Sequence, residues 1–284
     1  MIKIKKYKNL YVKLLIFIIL ITLLILLFKF NKNIDNFDNK LSISLGLLSY
    51  NAPNTLNQTL QTYKDSGLLD ISNDVFAILQ KSDKQEEEVK VCEKYNIRYI
   101  KMPDNGRMSS GFKAIYENAN NEIIVFLEND FVNYSTKQES IDFFNNSINF
   151  IKNNQINLVR ARSRKNAGLP NFGFEVFNKQ PIDNNIYLSE CIFWIDDPET
   201  VYPINIKRIT PLIGNDKWYL SSSKHCNWTN NAFVTSKAFF KDAILPHLGD
   251  SLNIEDTFTS IWAQQNHKCV YGPGLFTHFR LDGH

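Results

Sequence analysis

The sequence predicts an α/β protein: a mixed, mainly parallel sheet flanked by helices, preceded by an N-terminal transmembrane helix. Three observations carry this. The stretch "YVKLLIFIILITLLILLFKF" (Tyr11–Phe30) is almost wholly apolar and long enough to span a bilayer once Lys13 and Lys29 snorkel. Behind it, apolar runs of strand length alternate with segments of helical periodicity over short connections. The fourth run, "IIVFLEND", stops abruptly at Glu128-Asn129-Asp130. A strand buried on both faces does not end in two carboxylates unless they hold something.

The N-terminal segment reads as an uncleaved signal anchor, because "FKFNKNIDNF" offers no small residues for cleavage. Residues 1–10 form a basic tail, 11–30 the span, 31–41 a polar stem and 42–284 the folded domain. Lys3, Lys5, Lys6, Lys8 and Lys13 on the short side put the N-terminus in the cytosol. The expectation is a single-pass type II membrane protein with its domain in the ER or Golgi lumen, or an equivalent compartment. Four N-x-[ST] sequons, at Asn57, Asn133, Asn145 and Asn227, are compatible with that side. Eight lysines against two aspartates give residues 1–40 a charge of +6, which leaves −3 of the chain's +3 for the rest. The domain therefore has no electrostatic footprint for nucleic acid. Cys92, Cys191, Cys226 and Cys269 lack metal-ligand spacing and are either disulfide-bonded or buried thiols.

Along the domain, Leu41–Tyr50 reads as a strand, followed by a helix with Leu56, Leu60 and Tyr63 at helical spacing and Gly67 at its end. Asp74–Gln80 is a second strand, Lys84–Asn96 a charged, exposed helix and Ile97–Met102 a third strand. "DNG" turns the chain into a helix over 107–119, and Glu122–Glu128 is the fourth strand. A helix with Ile141, Phe144, Ile148 and Ile151 on one face comes next. "NLVRARSRK" is a short strand with Arg160, Arg162 and Arg164 at alternate positions, either lining a crevice or facing solvent. Residues 166–223 show no periodicity. A strand and helix fill 227–245, then a helix N-capped by Asn253 carries Glu255 and Asp256 in its first turn, and a last strand begins near Cys269.

Ligands of open α/β sheets lie at the carboxyl ends of the strands. Ser49-Tyr50-Asn51, Ser82-Asp83, Asn105-Gly106 and Glu128-Asn129-Asp130 all fall there. An acidic triad in that place serves as surface turn chemistry, as a hydrolase carboxylate, or as ligand to a Mg²⁺ or Mn²⁺ that bridges to a diphosphate.

From about Ser42 to His278 the order of these motifs resembles a GT-A glycosyltransferase of the family 2-like group. The matching pieces are "LLSYNAP", Ser82-Asp83, "DNGRMSSG", Glu128-Asn129-Asp130 in place of Asp-x-Asp, Glu255-Asp256 opening a helix, and His278 in "GLFTHF". The resemblance implies a GT-A (Rossmann-like) fold with a nucleotide-sugar half, 42–132, and an acceptor half, 133–284. It implies that Tyr50, Asn51 and Asp83, with Ser49, Asn105, Gly106 and Asn129 around them, receive the nucleotide, and that Glu128 lies near the ribose. Asp130 and His278 would bind Mn²⁺ or Mg²⁺, with Asp282 and His284 as neighbouring alternatives to His278. Asp256, paired with Glu255, would be the catalytic base.

The implied function is metal-dependent transfer of a hexose from a nucleotide-diphosphate sugar to a hydroxyl of a glycan, glycoprotein or glycolipid, with inversion. Glu replaces the first Asp, and Asn-Gly lacks the usual intervening residue. Trp194, Trp218 and Trp228 serve as a sugar-stacking platform or as core. The competing class is a catalytically inactive GT-A-like protein that binds nucleotide sugars or glycans. A phosphate-ester hydrolase would need more clustered metal ligands.

Overall fold

The computed structural model describes residues 21–22, 40–169, 187–193, 195–249 and 254–282, without the side chains of Glu190, Cys191 and Asp256. The expected span Tyr11–Phe30 lies outside these residues except for Ile21 and Thr22, which are helical. Among the described residues no helix is long and apolar enough to cross a membrane. Asn253, Trp194 and His284 also lie outside. Residues 41–284 form a unit of their own and are treated by themselves.

The apolar runs become one end of a ten-stranded sheet. In order, the elements are β1 (Leu41–Ser49), α1 (Pro53–Asp65), α2 (Leu68–Ile71), β2 (Ser72–Leu79), α3 (Gln85–Lys94), β3 (Arg98–Lys101) and α4 (Arg107–Asn118). Next come β4 (Ile123–Glu128), β5 (Phe131–Asn133), α5 (Lys137–Asn153), β6 (Leu158–Arg162), α6 (Leu188–Ile192), α7 (Pro198–Val201), β7 (Lys207–Ile209) and β8 (Trp218–Ser222). β9 (Phe233–Ser236), α8 (Lys237–Phe239, continuing as a π turn and a 3-10 turn to His247), α9 (Ile254–Gln264) and β10 (Lys268–His278) complete the unit. The strands lie in the order β3-β2-β1-β4-β9-β6-β10-β8-β7, with β5 paired to β10. β1, β2, β3 and β4 are mutually parallel. β9 enters antiparallel between β4 and β6, and β6 and β10 are parallel again.

Each face of the sheet carries one apolar layer. One packs α1, α3 and α5 with Trp218 against Phe143; the other packs α4, α8 and α9 around the stacked rings of Phe126, Phe233 and Phe240. Buried aromatic side chains of this size stabilise by about 1.5–3 kcal/mol each relative to exposure. Trp218 and Trp228 are fully buried in these layers, so they are core and not a sugar platform. Cys92, Cys226 and Cys269 are buried free thiols, and burial pushes Cys92 up to about 12.

Helix α3 differs from the expected exposed helix: Gln85, Glu88, Val89 and Cys92 form a buried stripe. That i, i+3, i+4, i+7 spacing puts Glu88 on the apolar face despite its charge. The segment 166–223 is also more regular than its sequence suggests, since it contributes α6, α7, β7 and β8. Of the arginines on and after β6, Arg160 and Arg162 are buried.

Two local devices aim the chain at the crevice. β10 breaks register between Tyr271 and Phe276, so its first half pairs with β6 and β8 and its second half reaches β5. Gly274 permits this: its φ is 68°, and a Cβ there would sit 2.0 Å from the Arg162 carbonyl oxygen. Gly168 (φ 72°) likewise lies flat on His278, where a Cβ would meet the His278 carbonyl oxygen at 2.0 Å.

Candidate active site

Parallel pairing sets the first strand ends level. Gln80 N donates to Ser49 O (3.0 Å), Asn129 N to Leu48 O (2.9 Å) and Met102 N to Leu79 O (2.8 Å). Ser49 is buried, and its hydroxyl donates to Glu88 Oε1 at 2.6 Å; Ala52 N donates to the same oxygen at 3.1 Å. Glu88 thus shapes the loop that turns Tyr50 and Asn51 outward. Tyr50 is 48% exposed and Asn51 takes a left-handed conformation (φ 55°), which asparagine tolerates better than most residues. Asp83 is exposed in the turn after β2. Asn105 Oδ1 accepts from Arg107 N (3.0 Å), and Gly106 immediately precedes α4.

This edge collects unsatisfied polar atoms. Gln80 Oε1, Ser82 Oγ, Glu88 Oε2, Ser109 Oγ, Asn129 Nδ2 and Asp130 Oδ1 are buried and have no hydrogen-bond partner among the described residues. All six sit at the ends of β2 or β4 or in the turns and helices that follow β2 and β3. A buried polar group left unpaired costs about 1–3 kcal/mol, so such a concentration calls for an outside partner.

At the end of β4 the sequence motif closes on itself through β10. The β5–β10 pairing sets His278 opposite Phe131, and Phe279 N donates to Asp130 O at 2.7 Å. Asp130 is fully buried. Its Oδ2 lies 3.1 Å from His278 Nε2 and accepts from Arg280 through Nε (3.0 Å) and Nη2. Burial pushes the Asp130 carboxyl up, but the hydrogen bond and charge of His278 and the guanidinium of Arg280 outweigh it and hold it below the usual carboxylate range.

His278 Nδ1 hydrogen-bonds the Leu169 carbonyl, which can only accept, so Nδ1 carries a proton. A neutral ring would then point the Nε2 lone pair at a carboxylate oxygen. That contact needs a positive charge within it, either a second proton or a metal ion. The orphaned Asp130 Oδ1 adds a further oxygen donor, so the carboxylate and imidazole fit a divalent cation. Among the described residues no group of three or more His, Cys, Asp or Glu side chains could hold a metal alone. The remaining positions would fall to phosphate and water.

The opposite wall is α9 and the loop before β9. Asn230 N donates to Glu255 Oε1 at 2.6 Å. Asp256 follows in the first turn of α9. Glu128 is half-buried, and burial first, then the charges of Asp130 and Glu255, push its carboxyl well above the usual range. Arg162 joins the walls: it donates to Ala167 O (2.8 Å) and Gly168 O (3.1 Å) beside His278, and to Asn231 Oδ1 (2.8 Å) beside Asn230.

Asp282, an alternative metal ligand on sequence, is otherwise employed. It accepts from Thr55 N (2.7 Å) and Asn54 Nδ2 (2.8 Å), so it caps α1 from across the chain.

Sequence reading passed over Gln80, Glu88 and Arg280, and left Arg162 between lining the crevice and facing solvent. Gln80 ends a buried apolar run just as Glu128 does, so its signal was present.

No family model matches the chain, and no curated relative matches it. Among solved structures, residues 1–349 of TarS from S. aureus superpose with a TM-score of 0.51 at 12% identity, over 84% of this chain and 60% of that one. Glucosyl-3-phosphoglycerate synthase from Mycobacterium tuberculosis, in complex with Mn²⁺, UDP-glucose and phosphoglyceric acid, gives 0.46 at 13% identity over 85% and 72%. The chain thus spans less than two thirds of the TarS fragment. The TarS superposition shows a GT-A-like glycosyltransferase fold.

Proposed function

We propose that this chain is a metal-dependent glycosyltransferase that moves a hexose from a nucleotide-diphosphate sugar to an acceptor hydroxyl with inversion. The observation that carries this reading is the Asp130–His278 contact at the end of β4, a buried carboxylate and imidazole 3.1 Å apart whose donor atoms suit a divalent cation. The orphaned polar atoms around it supply partners for a highly polar ligand.

Asp130 and His278 would hold Mn²⁺ or Mg²⁺, and the bound ion would offset charge developing on the departing diphosphate. Ser49, Tyr50, Asn51, Asp83, Asn105, Gly106, Glu128 and Asn129 surround the nucleotide. Asp256 takes the proton from the acceptor hydroxyl as its oxygen bonds to the anomeric carbon and the bond to diphosphate breaks. Glu255, held by the Asn230 amide, fixes the start of α9 beside it. The acceptor is a glycan, glycoprotein or glycolipid, met on the lumenal side of the membrane that residues 11–30 anchor.

The test is a screen of nucleotide sugars with Mn²⁺, scored by released diphosphate nucleotide. Turnover should appear with one donor and vanish with EDTA. Asp130→Asn should abolish the metal dependence of nucleotide binding. Equal nucleotide affinity with and without EDTA would overturn the metal reading. Digestion of the domain by protease in sealed microsomes would overturn the lumenal one.

A further inference from the structure

Asp130 is the most heavily engaged carboxylate of the crevice, and its engagement is lopsided. Oδ2 meets His278 and both Nε and Nη2 of Arg280, while Oδ1 has no partner among the described residues. A buried carboxylate needs a counter-charge, and here a guanidinium supplies it. A divalent cation arriving at Asp130 would meet this second positive charge at one carboxylate.

The backbone around Arg280 is pinned on both sides. Phe279 N donates to Asp130 O (2.7 Å) and Leu281 N to Thr55 Oγ1 (3.0 Å). The side chain is 27% exposed, so it has room to turn while its backbone stays fixed. A guanidinium fork fits phosphate oxygens as well as it fits a carboxylate. Transfer to another anion that enters the crevice is therefore a favourable way for it to leave Asp130.

We infer that Arg280 is a latch: it occupies Asp130 in the empty site and releases it to the metal only when a diphosphate is present to take the guanidinium. Metal and diphosphate then bind as a coupled pair, each raising the affinity for the other by the same factor. The inference rests on the transferase reading of this site.

The experiment uses the full chain in detergent and three proteins: wild type, Arg280→Gln and Arg280→Lys. Three titrations follow the intrinsic fluorescence and melting temperature: Mn²⁺ alone, inorganic pyrophosphate with EDTA, and Mn²⁺ with pyrophosphate. Wild type should bind Mn²⁺ alone weakly. Arg280→Gln should bind Mn²⁺ alone about tenfold tighter or better, weaken pyrophosphate binding in EDTA, and show clearly less coupling between the two than wild type, where the coupling should fall in the usual range of about 5–150-fold. Arg280→Lys keeps the charge without the fork and should fall between; it serves as the folded control if the glutamine variant unfolds. Mn²⁺ affinity in Arg280→Gln no tighter than in wild type, or in Arg280→Lys indistinguishable from wild type when the glutamine variant does not fold, overturns the latch and leaves the metal site standing. No Mn²⁺ binding by any of the three, with or without pyrophosphate, overturns both readings.

Discussion

The two ends of the sheet treat their polar groups in opposite ways. At the amino end, Asp74 on β2 has each carboxylate oxygen engaged: Oδ2 accepts from Ser44 Oγ (2.6 Å) and Asn120 N (2.9 Å), and Oδ1 from Arg98 Nη2 (2.8 Å) and Asn120 Nδ2 (3.2 Å). Burial would raise this carboxyl, but the Ser44, Asn120 and Arg98 contacts together hold it below the usual range. At the carboxyl end, Glu88 and Glu128 are pushed up by burial, and Glu88 Oε2 and Asp130 Oδ1 lack partners among the described residues. The amino end spends its hydrogen bonds on the fold. The carboxyl end holds them in reserve, which is the expected signature of a site that completes itself with a ligand.

The largest effect should come from the carboxylates of α9. If they act on substrate, Asp256→Asn should lower kcat by about 10²-fold or more, with Glu255→Gln less severe. Loss of a first-turn charge costs only about 0.3–1 kcal/mol, so the melting temperature should barely move. Unchanged kcat in both variants, measured beside donor Kd, would leave these residues as helix-start charges and blur the contrast between the two ends.

Asp74→Ala should do the reverse. It strands the partners at Ser44, Asn120 and Arg98 and should cost about 2–3 kcal/mol of stability with no change in nucleotide affinity. The pH sign follows from the lowered carboxyl: the Asp74 contribution is complete above the ordinary aspartate value, about 3.9, and is lost as pH falls through its lower folded value. The stability difference between wild type and variant in urea unfolding should therefore be constant well above about pH 3.9 and narrow as pH falls below it. A difference that stays constant as pH falls from about 4 to about 2 would refute the assignment.

The smallest effect sharpens the comparison most. Glu88 has a raised folded value, so its contribution falls as pH climbs from the ordinary glutamate value, about 4.3, through that raised value. Glu88→Gln keeps an acceptor for Ser49 and Ala52 and removes the buried charge. It should match wild type near pH 4 and exceed it at pH 7 by up to about 1 kcal/mol. A less stable variant at neutral pH would show that the ionised form of Glu88 is structural, like Asp74.

How much of this was legible in the sequence divides along the same line as the strands. β1, β2 and β4 were readable because a strand buried on both faces is a continuous apolar run, and β3, a half-exposed edge strand, because it stands between a helix and the DNG turn; each ended within two residues of its place. The insertion of β9 between β4 and β6 was not, because sheet order leaves no period in the chain. β8 hid because Trp218 and Tyr219 are buried at adjacent positions, so "WYLSS" shows no alternation. In the site, motif order pointed to Asp130 and His278, which the fold brings into contact. Arg280 went unread because its importance lies in a contact across 150 residues. Glu88 went unread because charge was weighed above position; its spacing from Val89 and Cys92 already set it on the buried stripe.

The clasp between Asp282 and α1 has a consequence for how the domain assembles. Thr55 and Asp282 are 227 residues apart, yet Asp282 accepts from the Thr55 amide and Thr55 Oγ1 accepts from the Asp282 amide. Local contacts along β1–α1–β2 can form early, but this one waits for a loop of that length to close, which places it late in folding. A contact made after the rate-limiting step holds the native state mainly by delaying escape from it. Thr55→Ala should accordingly quicken unfolding far more than it slows refolding, so that the strand which carries His278 and Arg280 to the crevice also sets how long the finished domain lasts.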